Sequence, residues 1–154
     1  LKTNWLDRGR GVVPGMPSAL EFWALDAALD RVEAETLPVR IERHRVAAEA
    51  TRDGLRRLGA ELWIEDDAQA SALATAVRVP PGIDAGRLVE TARALGASLS
   101  PGIGAMAGRL VRIEHTGQRA TGAAVLQNLT AYGLALQQLG VPADLGRMAT
   151  AIRF

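Results

Sequence analysis

Pro101-Gly102-Ile103-Gly104-Ala105-Met106-Ala107-Gly108-Arg109-Leu110-Val111-Arg112-Ile113-Glu114-His115-Thr116-Gly117 is the stretch on which the reading of this chain turns. Its first half, Pro101 to Gly108, is rich in glycine, keeps no hydrophobic period and reads as a loop. Its second half, Leu110 to His115, reads as a strand, and side chains along a strand alternate between its faces. Leu110, Arg112 and Glu114 therefore share one face, while Val111, Ile113 and His115 share the other. Val111 and Ile113 are natural core residues, so Arg112 and Glu114 point away from that core.

The same pattern of short strands and capped helices continues on both sides. Upstream, Ala97 to Ser100 reads as the strand that the glycine-rich loop joins to the next one. Before it, Asp84 caps a helix through Leu95, with Gly96 at its C-terminal end. Two further strand candidates are Ala60 to Ile64 and Ala74 to Val79, parted by the polar stretch Glu65 to Ser71; Pro80-Pro81-Gly82 ends the second. Ser18 with Glu21 forms a capping box that opens a helix carrying Phe22, Leu25, Leu29 and Val32 at helical spacing. A second helix, about Pro38 to Leu58, has Ile41, His44, Ala48, Thr51, Leu55 and Leu58 as its inner stripe and Gly59 as its stop. Downstream, a long helix from about Ala120 to Leu139 carries Gly122, Val125, Leu129, Tyr132, Leu136 and Leu139 on one face. Pro142 and Asp144 begin a short terminal helix. The fold class expected is α+β: a small antiparallel or mixed sheet of about four strands, one face covered by helices and the other left for a partner.

Bulk properties exclude several functions. The chain has 154 residues, 48% of them hydrophobic and 23% charged, an ordinary composition for a folded domain. A formal net charge of +1 gives no electrostatic reason to expect nucleic acid or an anionic membrane as partner. There is no cysteine, which rules out disulfides, thiolate zinc sites and a cysteine nucleophile. No apolar run approaches the roughly 20 residues of a membrane span, and Leu1 to Arg10 lacks the order of a secretory signal. A cytoplasmic location is the expectation. Residues 1–17 are irregular, without a starting Met, and read as the lead-in from a preceding domain; 18–154 read as the domain proper.

Among residues able to carry chemistry, Arg112 stands first. An arginine in mid-strand after a glycine-rich loop suits a bidentate grip on a carboxylate. Spacing alone equally allows a surface ion pair with a neighbouring acid, the commoner fate of a charged strand residue. His115 titrates near neutral pH but points to the opposite face from Arg112, so a structural role is expected for it. His44, on the inner stripe of its helix, reads as a packed, hydrogen-bonded residue. Two histidines on different elements make no metal site. Arg40, Arg43, Arg45, Arg52, Arg56 and Arg57 are interleaved with Glu42, Glu49 and Asp53, which describes a salt-bridged solvent face and not a nucleic-acid surface. The loop Gly102 to Gly108 leads into a strand, so it is no phosphate cradle at a helix N-terminus.

The string GIGAMAGRLVRIEHTG resembles the motif of class V aminotransferases of the alanine–glyoxylate, serine–glyoxylate and pyridoxamine–pyruvate type: a glycine-rich loop, then Arg-Ile-Gly-His-Met/Leu-Gly. The likeness extends back through Ala74-Thr75-Ala76-Val77-Arg78-Val79-Pro80 and Gly82, through Glu42-Arg43-His44, and to Val13-Pro14-Gly15-Met16-Pro17-Ser18. It runs forward through the long helix to Gly140. The resemblance implies the C-terminal small domain of a pyridoxal-phosphate-dependent transaminase that moves an amino group to a small 2-oxo acid such as glyoxylate or pyruvate. It places Arg112 as the ligand of the substrate carboxylate, with Glu114 and Gly104 on the substrate side.

Two departures from the family pattern stand out. Glu114 replaces the usual Gly or Ala, which leaves three consequences open: pairing with Arg112 in the empty site, selection of an aminated substrate, or weaker carboxylate binding. Met16 stands where a threonine usually reaches across the dimer to the cofactor phosphate. Transamination also needs a lysine to bond the cofactor, and Lys2 is the sole lysine here. By resemblance that lysine and the phosphate cup belong to a large domain, so no catalytic residue is expected in this chain, which would be inactive alone and homodimeric when intact. A rival reading is a non-catalytic module, derived from such a domain, that binds a small molecule or a protein.

Overall fold

The computed structural model describes residues 18–150; Lys2, Met16 and the lead-in lie outside the described residues. The chain divides into two units, Leu1–Arg40 and Ile41–Phe154. In the first, α1 spans Ala19–Glu35, and the Ser18 hydroxyl accepts a hydrogen bond from the Glu21 amide, the N-terminal half of the capping box. Its apolar residues at helical spacing bury nothing: Phe22, Leu25 and Leu29 are all exposed. Thr36, at φ 69°, separates α1 from α2, which spans Leu37–Leu58.

The second unit contains the sheet. β1 (Ala74–Arg78), β2 (Leu99–Pro101) and β3 (Leu110–Glu114) lie in the order β1-β3-β2, with β3 antiparallel to both neighbours. β1 and β2 therefore run parallel on either side of β3, and α3 (Ala85–Ala94) is the crossover between them. Among the described residues the sheet has three strands and is wholly antiparallel, where about four strands were expected. The difference is Ala60 to Ile64, which makes a single bridge, Leu62 to Val77, beside the edge of β1. Only Leu62 of that stretch is buried, too little apolar surface to hold a longer strand at the edge.

Helices cover one face of the sheet. α4 (Gly122–Gln138) begins at Thr121, whose hydroxyl accepts from the Ala124 amide, and α5 (Leu145–Ala149) begins at Asp144 in the same way. Leu55 and Leu58 of α2, Leu88 and Val89 of α3, and Val125, Leu129, Tyr132 and Leu136 of α4 meet Val77, Val111 and Ile113 in one core. Each such fully buried side chain contributes about 1.5–3 kcal/mol before the entropy of ordering it is set against that. The stripe expected on α2 is buried from His44 onward; Ile41, at its start, is exposed. Gly59 and Gly96 end α2 and α3 with φ of 85° and 91°, which suits glycine because it has no Cβ to clash.

Candidate active site: the open face of the sheet

From Val111 to His115 the chain alternates as its sequence requires, whereas Leu110, placed on the face of Arg112, is buried. Val111, Ile113 and His115 are fully buried toward the helices, while Arg112 and Glu114 are half-buried on the opposite face. The register sets Ala76 and Ser100 on either side of Arg112, and Ala74 beside Glu114. Small neighbours thus leave the two charged side chains standing on an open floor.

Ser100 links them. Arg112 donates from Nε at 3.2 Å and from Nη2 at 3.0 Å to the Ser100 hydroxyl, which donates in turn to Glu114 Oε1 at 3.1 Å. Arg112 Nη2 and Glu114 Oε1 are 3.7 Å apart. Of the consequences left open for Glu114, pairing with Arg112 is the one the structure displays. One edge of the guanidinium is held, so the side chain is oriented in advance.

Backbone supports hold the two strands that carry this group. Buried Asn128 of α4 accepts from the Ser98 amide at 2.7 Å and donates to the Glu114 carbonyl at 3.2 Å. Arg93 of α3 donates to the Leu99 carbonyl at 2.8 Å. Just beyond β3, His44 Nε2 accepts from the Gly117 amide at 2.9 Å, and Arg43 donates to the Gly117 and Ala120 carbonyls at 2.6 and 3.1 Å. Ser100 and Asn128 were not legible as site residues, because both act through cross-strand and helix–sheet registers that local pattern does not specify.

Gly104 opens a turn of 3₁₀ helix, Gly104–Met106, in the exposed loop between β2 and β3. It is not part of the hydrogen-bonded group around Arg112. Gly102, in the same loop, is buried, and a Cβ there would strike the Met106 carbonyl, so the loop needs glycine at that point. Met16 lies outside the described residues.

His115 is structural, as expected. It is fully buried, with Nε2 3.0 Å from Thr75 Oγ1, and burial lowers its pKa to about 4, which keeps the ring neutral at pH 7. The arginine-rich helix is the expected salt-bridged solvent face only in part: Arg52 is buried, with Nε 3.0 Å from Asp67 Oδ1, and Arg43 turns to the backbone beyond β3. Arg45 pairs with Glu42 and Glu49, and Arg56 with Asp53 and Asp67. Among the described residues no group of acids and histidines could hold a metal ion. No described helix is long and apolar enough to cross a membrane. The described residues include no lysine, so by themselves they do not fit a covalently held pyridoxal phosphate.

No family model matches the chain. It is 37% identical over 135 residues to the pyridoxamine–pyruvate transaminase of Mesorhizobium japonicum, across 87% of this chain and 34% of that protein. It is 32% identical over 134 residues to the serine–glyoxylate aminotransferase of Arabidopsis thaliana, across 86% of this chain and 33% of that one. The crystal structure of the pyridoxamine–pyruvate aminotransferase of Mesorhizobium loti superposes with a TM-score of 0.87 at 35% identity, covering 92% of this chain and 36% of that one. The chain spans about a third of the length of the curated relatives it matches. Sequence motif, sheet topology and these likenesses agree: the chain is a C-terminal small domain of the class V aminotransferase family.

Proposed function

We propose that this chain serves as the substrate-side wall of a pyridoxal-phosphate-dependent transaminase that transfers an amino group to a small 2-oxo acid such as glyoxylate or pyruvate. The observation that carries this reading is Arg112, set in the central strand on the open face with its guanidinium oriented by Ser100. In this role Arg112 grips the substrate carboxylate with paired hydrogen bonds, while Ala74 and Ala76 leave room for the ligand. The cofactor, held mainly by a large domain, supplies the carbonyl chemistry that accepts and returns the amino group. The isolated chain is then inactive. Exposed Leu20, Phe22, Trp23, Leu25 and Leu29 on α1 support a partner surface for that large domain or for a second subunit of a homodimer, since so much clustered apolar surface rarely faces water alone.

The test is to tag the protein in its native host, purify it gently, and record intact masses and the visible absorption spectrum. A yellow species, with a longer chain or a larger partner that borohydride links to the cofactor through lysine, is the expected result. Colourless material of 16.3 kDa alone overturns the reading in favour of a non-catalytic binding module.

A further inference from the structure

The open face of the sheet holds a feature that carboxylate binding alone does not need. Glu114 places a second carboxylate beside the guanidinium meant for the substrate, and Ser100 fixes it there by donating its one hydroxyl proton to Oε1. The formal charge of the Arg112–Glu114 pair is therefore zero before any ligand arrives. A bound monocarboxylate brings the group to one negative charge, and a dicarboxylate brings it to two.

Among the described residues, none in register with the pair offsets the second charge. The residues in register with the pair are Ala74, Ala76 and Ser100. Arg78, next along β1 on the same face, is already engaged: its Nε lies 2.6 Å from Glu61 Oε1, and its guanidinium sits 4.5 Å above the Trp63 ring. Like charges a few ångströms apart at a half-buried site repel strongly enough to change binding by an order of magnitude.

Resting on the reading of Arg112 as the carboxylate ligand, we infer that Glu114 is a specificity-determining residue that admits monocarboxylate substrates and turns away dicarboxylates. Ser100 is its positioning residue. Glyoxylate, pyruvate and neutral amino acids then fit; oxaloacetate, 2-oxoglutarate and their amino acids do not.

The experiment compares kcat/KM for pyruvate and glyoxylate with kcat/KM for oxaloacetate and 2-oxoglutarate in the intact transaminase carrying this domain. Glu114→Gln keeps the side-chain length and an acceptor for Ser100 while removing the charge; Glu114→Ala is made beside it, and both are checked for folding by circular dichroism. Each variant should raise the dicarboxylate-to-monocarboxylate ratio about tenfold, equivalent to about 1.4 kcal/mol. A ratio within twofold of the parent in both folded variants overturns the inference. Arg112→Ala separates the two readings. If it lowers kcat/KM for all four acids while the Glu114 ratio stays flat, only the selectivity falls. If it leaves all four unchanged, the carboxylate-ligand reading falls as well.

Discussion

His44 Nε2 accepts a hydrogen bond from the Gly117 amide at 2.9 Å, so a residue of α2 holds the backbone just beyond the strand that carries Arg112 and Glu114. Its neighbour Arg43 takes the Gly117 carbonyl at 2.6 Å, and both backbone groups of one glycine are thereby tied to a single helix. His44→Ala removes the acceptor and should cost about 1–2 kcal/mol, with faster hydrogen exchange at the Gly117 amide. Because both residues act on Gly117, Arg43→Ala combined with His44→Ala should cost less than the two single losses added together. Unchanged exchange at Gly117 in His44→Ala would show the bond to be dispensable.

The buried pair of Thr75 and His115 gives stability a pH dependence. The folded-state pKa of His115 is depressed to about 4 by burial, so between pH 4 and its ordinary value of 6.5 the unfolded chain binds the proton and the folded chain does not. The contribution of the neutral ring is therefore complete above pH 6.5 and is lost as pH falls toward 4, by roughly 3 kcal/mol in all. Urea midpoints measured across this window should fall with acidification, and His115→Gln should flatten that part of the decline. An identical pH profile in the variant would remove His115 as its source.

Gly54 lies against Leu129 where α2 crosses α4, and a Cβ at Gly54 would overlap the Leu129 side chain. Gly54→Ala gains about 1 kcal/mol of helix propensity but must move a fully buried leucine in a filled core, a cost of about 1–3 kcal/mol. The net expectation is a small loss for Gly54→Ala and a loss above about 2 kcal/mol for Gly54→Val. Thermal or urea unfolding reads both. In Leu129→Ala as host, the Gly54→Ala substitution should become stabilising, because the obstructing side chain is gone.

On the function proposed above, Arg112→Ala in the intact protein should raise the Michaelis constant for small 2-oxo acids at least about a hundredfold. Removing one partner of a half-buried, hydrogen-bonded charge pair costs about 3 kcal/mol or more. Steady-state kinetics with pyruvate and glyoxylate measure the effect directly. Arg112→Lys should restore only part of the affinity, since an ammonium does not reproduce the paired donors of a guanidinium.

Much of this architecture was legible in local pattern. Capping residues located helix starts at Ser18, Asp84 and Asp144, and glycines with positive φ located the ends at Gly59 and Gly96. Alternation from Val111 onward in β3 separated Val111 and Ile113 from Arg112 and Glu114 with no knowledge of what lay on either side. Such features depend on a few consecutive residues, and so they survive without tertiary context.

Local pattern is silent where pairing or burial over distance decides. Ala60 to Ile64 has strand-like composition, but its ladder pairing with β1 stops at the single Leu62–Val77 bridge. Phe22, Leu25 and Leu29 share a helical period, yet their exposure shows that period alone does not say what an apolar stripe is covered by.

Local pattern alone was enough for the order of the helices and of the three strands that form, for the opposite sides taken by Val111 and Arg112, and for the family motif around Arg112, because side-chain period and backbone capping are local physics. Only the tertiary structure decided that Ser100 lies across from Arg112, that its hydroxyl joins Arg112 to Glu114, and that Asn128 braces the strands beneath them. Those contacts join residues 12 to 30 positions apart. Their geometry follows from strand register and helix packing, which are set by the whole core and by no single stretch of the chain.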